Sequence, residues 1–225
     1  HENINSITIQ ITYCNLETEE IRRLKQDKTR EELEEWFQGL IHEYVKWAKY
    51  LYHHTLRRNE SLRELQFPYE YRTGQKELAV SVYRALARRR NLFIQAPTGI
   101  GKTLSVVYPS LKSMGNGTGE KLFYLTAKTI TGSVAENCFS LLRGQGMLFT
   151  TVTVTAKEKL CPMEKTECNP DACPCAKGHF DRVNDAVFDI IHEQQDITRE
   201  ILLQYADRYQ VCPFEFCLDI SSWAD

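Results

Sequence analysis

Residues 91–103 concentrate the chemistry of this chain. Asn91-Leu92-Phe93-Ile94-Gln95 is rich in apolar residues and ends at the small Ala96. Pro97-Thr98-Gly99-Ile100-Gly101 follows as a loop, then Lys102-Thr103 and a helix-compatible segment. Ala96 to Thr103 fits the phosphate-loop pattern, with Ala in place of the first Gly. Gly99 and Gly101 let the backbone turn tightly and aim N–H groups at phosphate oxygens. The helix N-terminus beyond them favours the same anions. Lys102 supplies a point charge for the β- and γ-phosphates, and the Thr103 hydroxyl suits Mg²⁺. The expected ligand is ATP or another nucleoside triphosphate with Mg²⁺.

The second concentration is sulfur. Of eight cysteines, six (Cys161, Cys168, Cys173, Cys175, Cys212, Cys217) fall in the last third of the chain. Beside a phosphate loop, and with no signal-peptide pattern, clustered Cys points to metal or cluster ligation before disulfides. Four thiolates hold either zinc or an iron–sulfur cluster. Four residues separate Cys168 from Cys173, and four separate Cys212 from Cys217, so spacing leaves zinc open. Cys161-Pro162, Cys173-Pro174 and Cys212-Pro213 lean towards a cluster, because Pro stiffens the ligand loop and removes an N–H.

These groups need elements to position them. Leu122–Leu125 reads as a second buried strand ending at Thr126, and Leu148–Val154 as a third. Helices are expected from Leu104 to Met114 and from about Gly132 to Leu142. The βαβαβ alternation predicts an α/β fold with a parallel sheet. Ligands in such sheets bind beyond the C-terminal strand ends, where both Ala96–Thr103 and Thr126–Thr129 fall. Gln75 stands at a predicted helix start upstream of the phosphate strand. Its amide both donates and accepts, as reading an adenine edge requires, although a Gln there is ordinarily exposed polar surface.

Further upstream, Ile7, Ile9 and Ile11 alternate with Thr8, Gln10 and Thr12, the period of a half-buried strand. A lone strand is unstable, so it must pair with a segment elsewhere. Thr29 and Glu32 have capping-box spacing, and an apolar stripe from Leu33 to Tyr52 predicts a helix to about Arg57, on the order of 40 Å long. His53-His54 and Arg57, Arg58 and Arg63 read as solvated surface. The segment from Ala156 to Cys217 looks like a small helical insertion closed by cysteines at both ends.

Length and charge set the outer bounds. The 225 residues allow one or two domains. A formal net charge of −2 gives no global basic field for nucleic acid. No apolar run is long enough to span a membrane.

Phe67-Pro68-Tyr69, Arg72, Gln75, Ala96–Thr103, Tyr124-Leu125-Thr126-Ala127-Lys128-Thr129 and the Cys-rich insertion together resemble the XPD/DinG-like superfamily 2 DNA helicases. The insertion is most similar to a bacterial branch, through Cys168-Asn169-Pro170, Cys173-Pro174 and Ala176-Lys177-Gly178-His179-Phe180-Asp181. The resemblance implies a RecA-like motor domain carrying a [4Fe–4S] insertion, in a cytoplasmic bacterial enzyme of DNA repair or replication that moves 5′→3′. It implies Cys161, Cys168, Cys173 and Cys212 as ligands, with Cys175 and Cys217 as bystanders. Arg72 and Gln75 would sense adenine. Thr126, Lys128, Thr129 and Arg182 would lie near single-stranded DNA or a strand junction.

The implied divisions are 1–20 as the last strand of an upstream nuclease-like domain, 21–66 as a helical connector, and 67–155 as the first part of the motor. Residues 156–217 would be the cluster insertion and 218–225 the return to the motor. No Asp-Glu-x-His-like motif and no second motor domain occur in these residues. The expectation is therefore a helicase fragment, inactive without the remainder of its chain. Two other readings stay open at this level. One is a P-loop ATPase or kinase with a structural zinc knuckle, and the other is a non-catalytic nucleotide-sensing module. The oligomeric state is not legible.

Overall fold

The computed structural model describes residues 4–97, 99–127 and 129–225. The chain divides into two compact units, His1–His53 and His54–Asp225.

In the first unit, β1 (Ser6–Cys14) pairs antiparallel with β2 (Ile21–Thr29), from Ser6 opposite Thr29 to Cys14 opposite Ile21. The Asn15 side chain makes the turn by accepting the N–H groups of Glu17 and Thr18. Glu19 completes it at φ 57°. Residues 21–29 are thus strand, not the start of the helical connector that the sequence suggests. Arg22, Arg23, Lys25, Asp27 and Lys28 hide any apolar alternation in β2, and pairing with β1 supplies what its pattern lacks.

Helix α1 (Arg30–Glu64) starts on the expected capping box. Thr29 Oγ1 accepts the Glu32 N–H at 3.2 Å, and Glu32 Oε2 accepts the Thr29 N–H at 2.9 Å. The helix runs 35 residues, about two turns beyond the expected end.

In the second unit, the end of α1 packs with α3 (Lys102–Gly115), α4 (Thr129–Arg143) and residues 147–149. Leu62, Leu111, Leu142, Met147 and Phe149 lie at its centre. A Cβ on Gly115 would stand 2.9 Å from Leu62 Cβ, so these two helices meet only because that residue is glycine. Their ends also cap one another. Arg63 donates to the Gly115 carbonyl at 2.9 Å, while Lys112 donates to the carbonyls of Arg63 and Leu65.

Residues 91–97 and 121–126 carry no strand pairing, and Phe93 and Leu125 are 96% and 88% exposed. A strand exists only against a neighbour. The third expected run does pair. Within it, β3 (Thr151–Val152) lies parallel to β4 (Asp196–Ile197). The half-buried Arg143 stitches this pair through Thr151, the Gln195 carbonyl and an ion pair with Asp196 at 3.2 Å.

The cysteine-rich part is helical, as its pattern predicts. It holds α5 (Lys157–Leu160), α6 (His179–Glu193), α7 (Arg199–Tyr209) and α8 (Pro213–Trp223). Val187, Ile190, Leu202, Phe216 and Ile220 form its core. No described helix is long and apolar enough to cross a membrane.

Candidate functional site

Two cavities in the second unit collect the residues singled out by their chemistry. The larger, about 860 Å³, is lined by Tyr69, Glu70, Arg72, Gln75, Gly99, Gly101, Lys102, Thr103 and one side of α4. Gly101 sits at φ 80° and caps α3, so the first helical N–H groups open onto this cavity. The Lys102 ammonium lies across its own loop, donating to the carbonyls of Ala96 and Pro97 at 2.9 Å each. Thr103 is half-buried beside it, with Ile100 in the same turn. Thr98 lies outside the described residues.

Gln75 begins α2 (Gln75–Ala87), at the expected place but not in the ordinary setting of a helix-start Gln. It is buried at 4% exposure. Its Oε1 accepts the Arg72 N–H at 3.0 Å, and its Nε2 packs where a Gly101 Cβ would be, only 2.6 Å away. The Arg72 guanidinium in turn donates to the Gly99 carbonyl. Arg72 and Gln75 therefore brace the phosphate loop directly, a link that sequence separation alone does not reveal.

The second cavity, about 300 Å³, is lined by Cys161, Cys168, Cys173, Cys175 and Cys212, together with Lys157, His179 and Phe180. The four implied ligands thus face one space. Cys175, expected as a bystander, faces it too. Cys217 does not. It is fully buried, its thiol donates to the Thr153 carbonyl, and burial pushes its pKa up. Burial likewise pushes the Cys175 thiol up, with neighbouring Cys173 adding to the effect. Hydrogen bonding to Cys168 holds the Lys157 ammonium above the usual lysine range, helped by charge on Cys168, Glu215 and Cys212.

Among the described residues, no three His, Cys, Asp or Glu side chains are grouped tightly enough to hold a metal ion. The donor set fits a thiolate-bound group in kind, since several free thiols line one cavity. A closed four-coordinate ion site is not formed.

The residues implied for nucleic acid are dispersed. Thr126 is exposed, Lys128 lies outside the described residues, and Thr129 opens α4. Arg182 is engaged elsewhere: its guanidinium donates to the carbonyls of Tyr209, Lys177 and Gln210 at 3.0, 2.8 and 2.7 Å, tying α6 to the end of α7.

Sequence reasoning missed one polar centre altogether. The Asp225 carboxylate, 8% exposed, accepts from Arg58 at 2.7 Å, His54 at 2.8 Å and the Thr150 N–H at 2.8 Å. Arg58 is therefore a buried partner and His54 a half-buried one, not solvated surface. Burial would push the Asp225 carboxyl up. The His54 hydrogen bond and charge, the Thr150 N–H and Arg58 outweigh it and hold the carboxyl below the usual range.

A stretch of 47 residues, 20% of this chain, is 43% identical to a protein named "Probable ATP-dependent helicase" from Methanocaldococcus jannaschii. This chain is similar to that protein over that stretch, which covers 7% of the relative's length. No family model and no solved structure matches the chain.

Proposed function

We propose that this chain is the ATP-binding and [4Fe–4S]-binding part of an ATP-dependent DNA helicase with a RecA-like motor. One observation carries the reading: Arg72 and Gln75 are locked onto the phosphate loop at the wall of a single cavity of about 860 Å³. A base-sensing pair joined to a phosphate loop suits an engine that must register ATP binding. The similarity to a named helicase supports the same direction.

Lys102 would exchange its loop carbonyls for β- and γ-phosphate oxygens, and Thr103 would hold Mg²⁺. The thiol-lined cavity supports the cluster, with Cys161, Cys168, Cys173 and Cys212 as its holders. When bound, the cluster would supply a rigid cross-link between loops, since metal-site energy in so small a unit is folding energy. Lys157, Lys159 and Lys177 are the cations of this segment that would meet a single strand, in a contact weakened by salt. In the whole enzyme, hydrolysis would drive the strand across the motor 5′→3′ in repair or replication.

Calorimetry with MgATP tests the nucleotide site. Wild type should bind, and Lys102→Ala should lose most of the affinity. Equal affinities would falsify the reading. Loading with ferrous iron and sulfide without oxygen tests the cluster. A colourless protein with one zinc and no labile sulfide would remove it.

A further inference from the structure

His179 is the first residue of α6, and its ring is buried at 3% exposure on the wall of the cysteine cavity. Its Nδ1 accepts the backbone N–H of Cys212 at 3.2 Å. Accepting there places the ring proton on Nε2. That atom has no hydrogen-bond partner among the described residues and faces the Asp219 carboxylate at 3.7 Å. Cys212 caps α8 with no side-chain cap of its own, and Asp219 lies within α8. One imidazole therefore touches α8 at its start and again in its body.

The ring is equally well fixed on the other side. Between Cys173 and His179 the chain is a run of turns: the N–H groups of Ala176 and Lys177 both donate to the Cys173 carbonyl, and His179 N–H donates to Ala176. His179 is thus rigidly placed with respect to Cys173 and holds the backbone of Cys212, which is remote in sequence. Filling this volume needs only an apolar side chain. Accepting the Cys212 N–H needs an acceptor at the position of Nδ1.

We propose that His179 is a positioning residue for Cys212, setting where its thiol meets the other cysteines of the cavity. The inference deepens the cluster reading and rests on it for its purpose, while the hydrogen bond stands on its own geometry. A side chain that hydrogen-bonds a ligand residue in this way orients the ligand and tunes its hold on a bound group.

The test compares wild type with His179→Leu, His179→Asn and His179→Gln in this same chain. Asn places a carbonyl oxygen where Nδ1 stood, Leu fills volume without an acceptor, and Gln carries its polar atoms out of register. In iron-free protein, alkylation of Cys212 by iodoacetamide is followed by peptide mass spectrometry, with exposed Cys14 as internal reference. His179→Leu should alkylate severalfold faster at Cys212, and His179→Asn should match wild type. After anaerobic loading with ferrous iron and sulfide, loss of iron to a chelator should be about tenfold faster in His179→Leu and restored in His179→Asn. If His179→Leu does not fold, His179→Gln takes its place, with the same expected losses. Equal Cys212 alkylation in wild type and the Leu or Gln variant overturns the proposal, whether or not iron binds. So does an Asn variant worse than Leu, the order that packing alone would give. Wild-type protein that takes up no iron or sulfide, yet keeps the His179-dependent alkylation, overturns the cluster reading and upholds the role of His179.

Discussion

The Asp225 carboxylate gathers Arg58, His54 and the Thr150 N–H into one polar centre. Arg58 sits 167 positions away, and its neighbour Arg57 remains exposed on the same helix. Nothing local distinguishes the two arginines, because the difference is made by a partner far along the chain. Lys102 and Thr103 stand out for the opposite reason: the phosphate-loop pattern is a local device, complete within eight residues. Removing the Asp225 charge leaves Arg58 buried and unpaired, so Asp225→Asn should cost about 3 kcal/mol. Because the folded carboxyl is depressed, its stabilisation is complete above the unfolded value of about 3.9 and is lost as pH falls through the folded value. Urea melts of wild type and Asp225→Asn should therefore differ most near neutrality and converge below about pH 4. A constant difference across that range would refute the assignment.

Elements were legible where their signal is periodic or capped. Thr29 and Glu32 announce the start of α1, and its apolar stripe announces the body. Strand β2 was not legible, since its charges obscure the alternation and only its register with β1 defines it. Residues 92–96 and 122–125 have strand composition, yet composition cannot supply the neighbour that makes a strand. The close approach of α1 and α3 was also silent in the sequence, because Gly115 falls just past the expected helix end at Met114. Its test is a pair of glycines. At Gly115 a Cβ would press on Leu62 Cβ at 2.9 Å, Arg63 N at 3.1 Å and Asn59 O at 3.1 Å, and two of these atoms are backbone. Gly115→Ala should destabilise by about 1–3 kcal/mol despite the better helix propensity. At Gly39, inside α1, a Cβ meets nothing within 4 Å. Gly39→Ala should stabilise by roughly 0.4–1 kcal/mol. Thermal melts in which both variants shift the same way would contradict this account of the helix contact.

At the scale of the molecule, the two units differ in what can stabilise them. The hairpin of the first unit leaves Ile7, Ile9 and Ile11 at 45%, 41% and 53% exposure, and two strands by themselves are marginal in water. In the second unit, the thiol-lined cavity is bounded by α5, the loop that carries Cys168 to Cys175, and the starts of α6 and α8. A group bound there would cross-link segments that otherwise meet through a small apolar core, and its binding energy would appear as folding energy of that region. Hydrogen exchange with and without anaerobic iron and sulfide reads this directly. Amides from about residue 157 to 217 should gain protection on loading, and Cys161→Ser, Cys168→Ser, Cys173→Ser or Cys212→Ser should each abolish the gain. Cys217→Ser should keep it, because that thiol is held by the Thr153 carbonyl outside the cavity. Amides of Ser6–Thr29 should exchange at the same rate in every sample, since no group in that hairpin belongs to the thiol site. Protection spread evenly over both units would mean that iron acts on the chain as a whole, and the cavity would lose its claim to be the binding site.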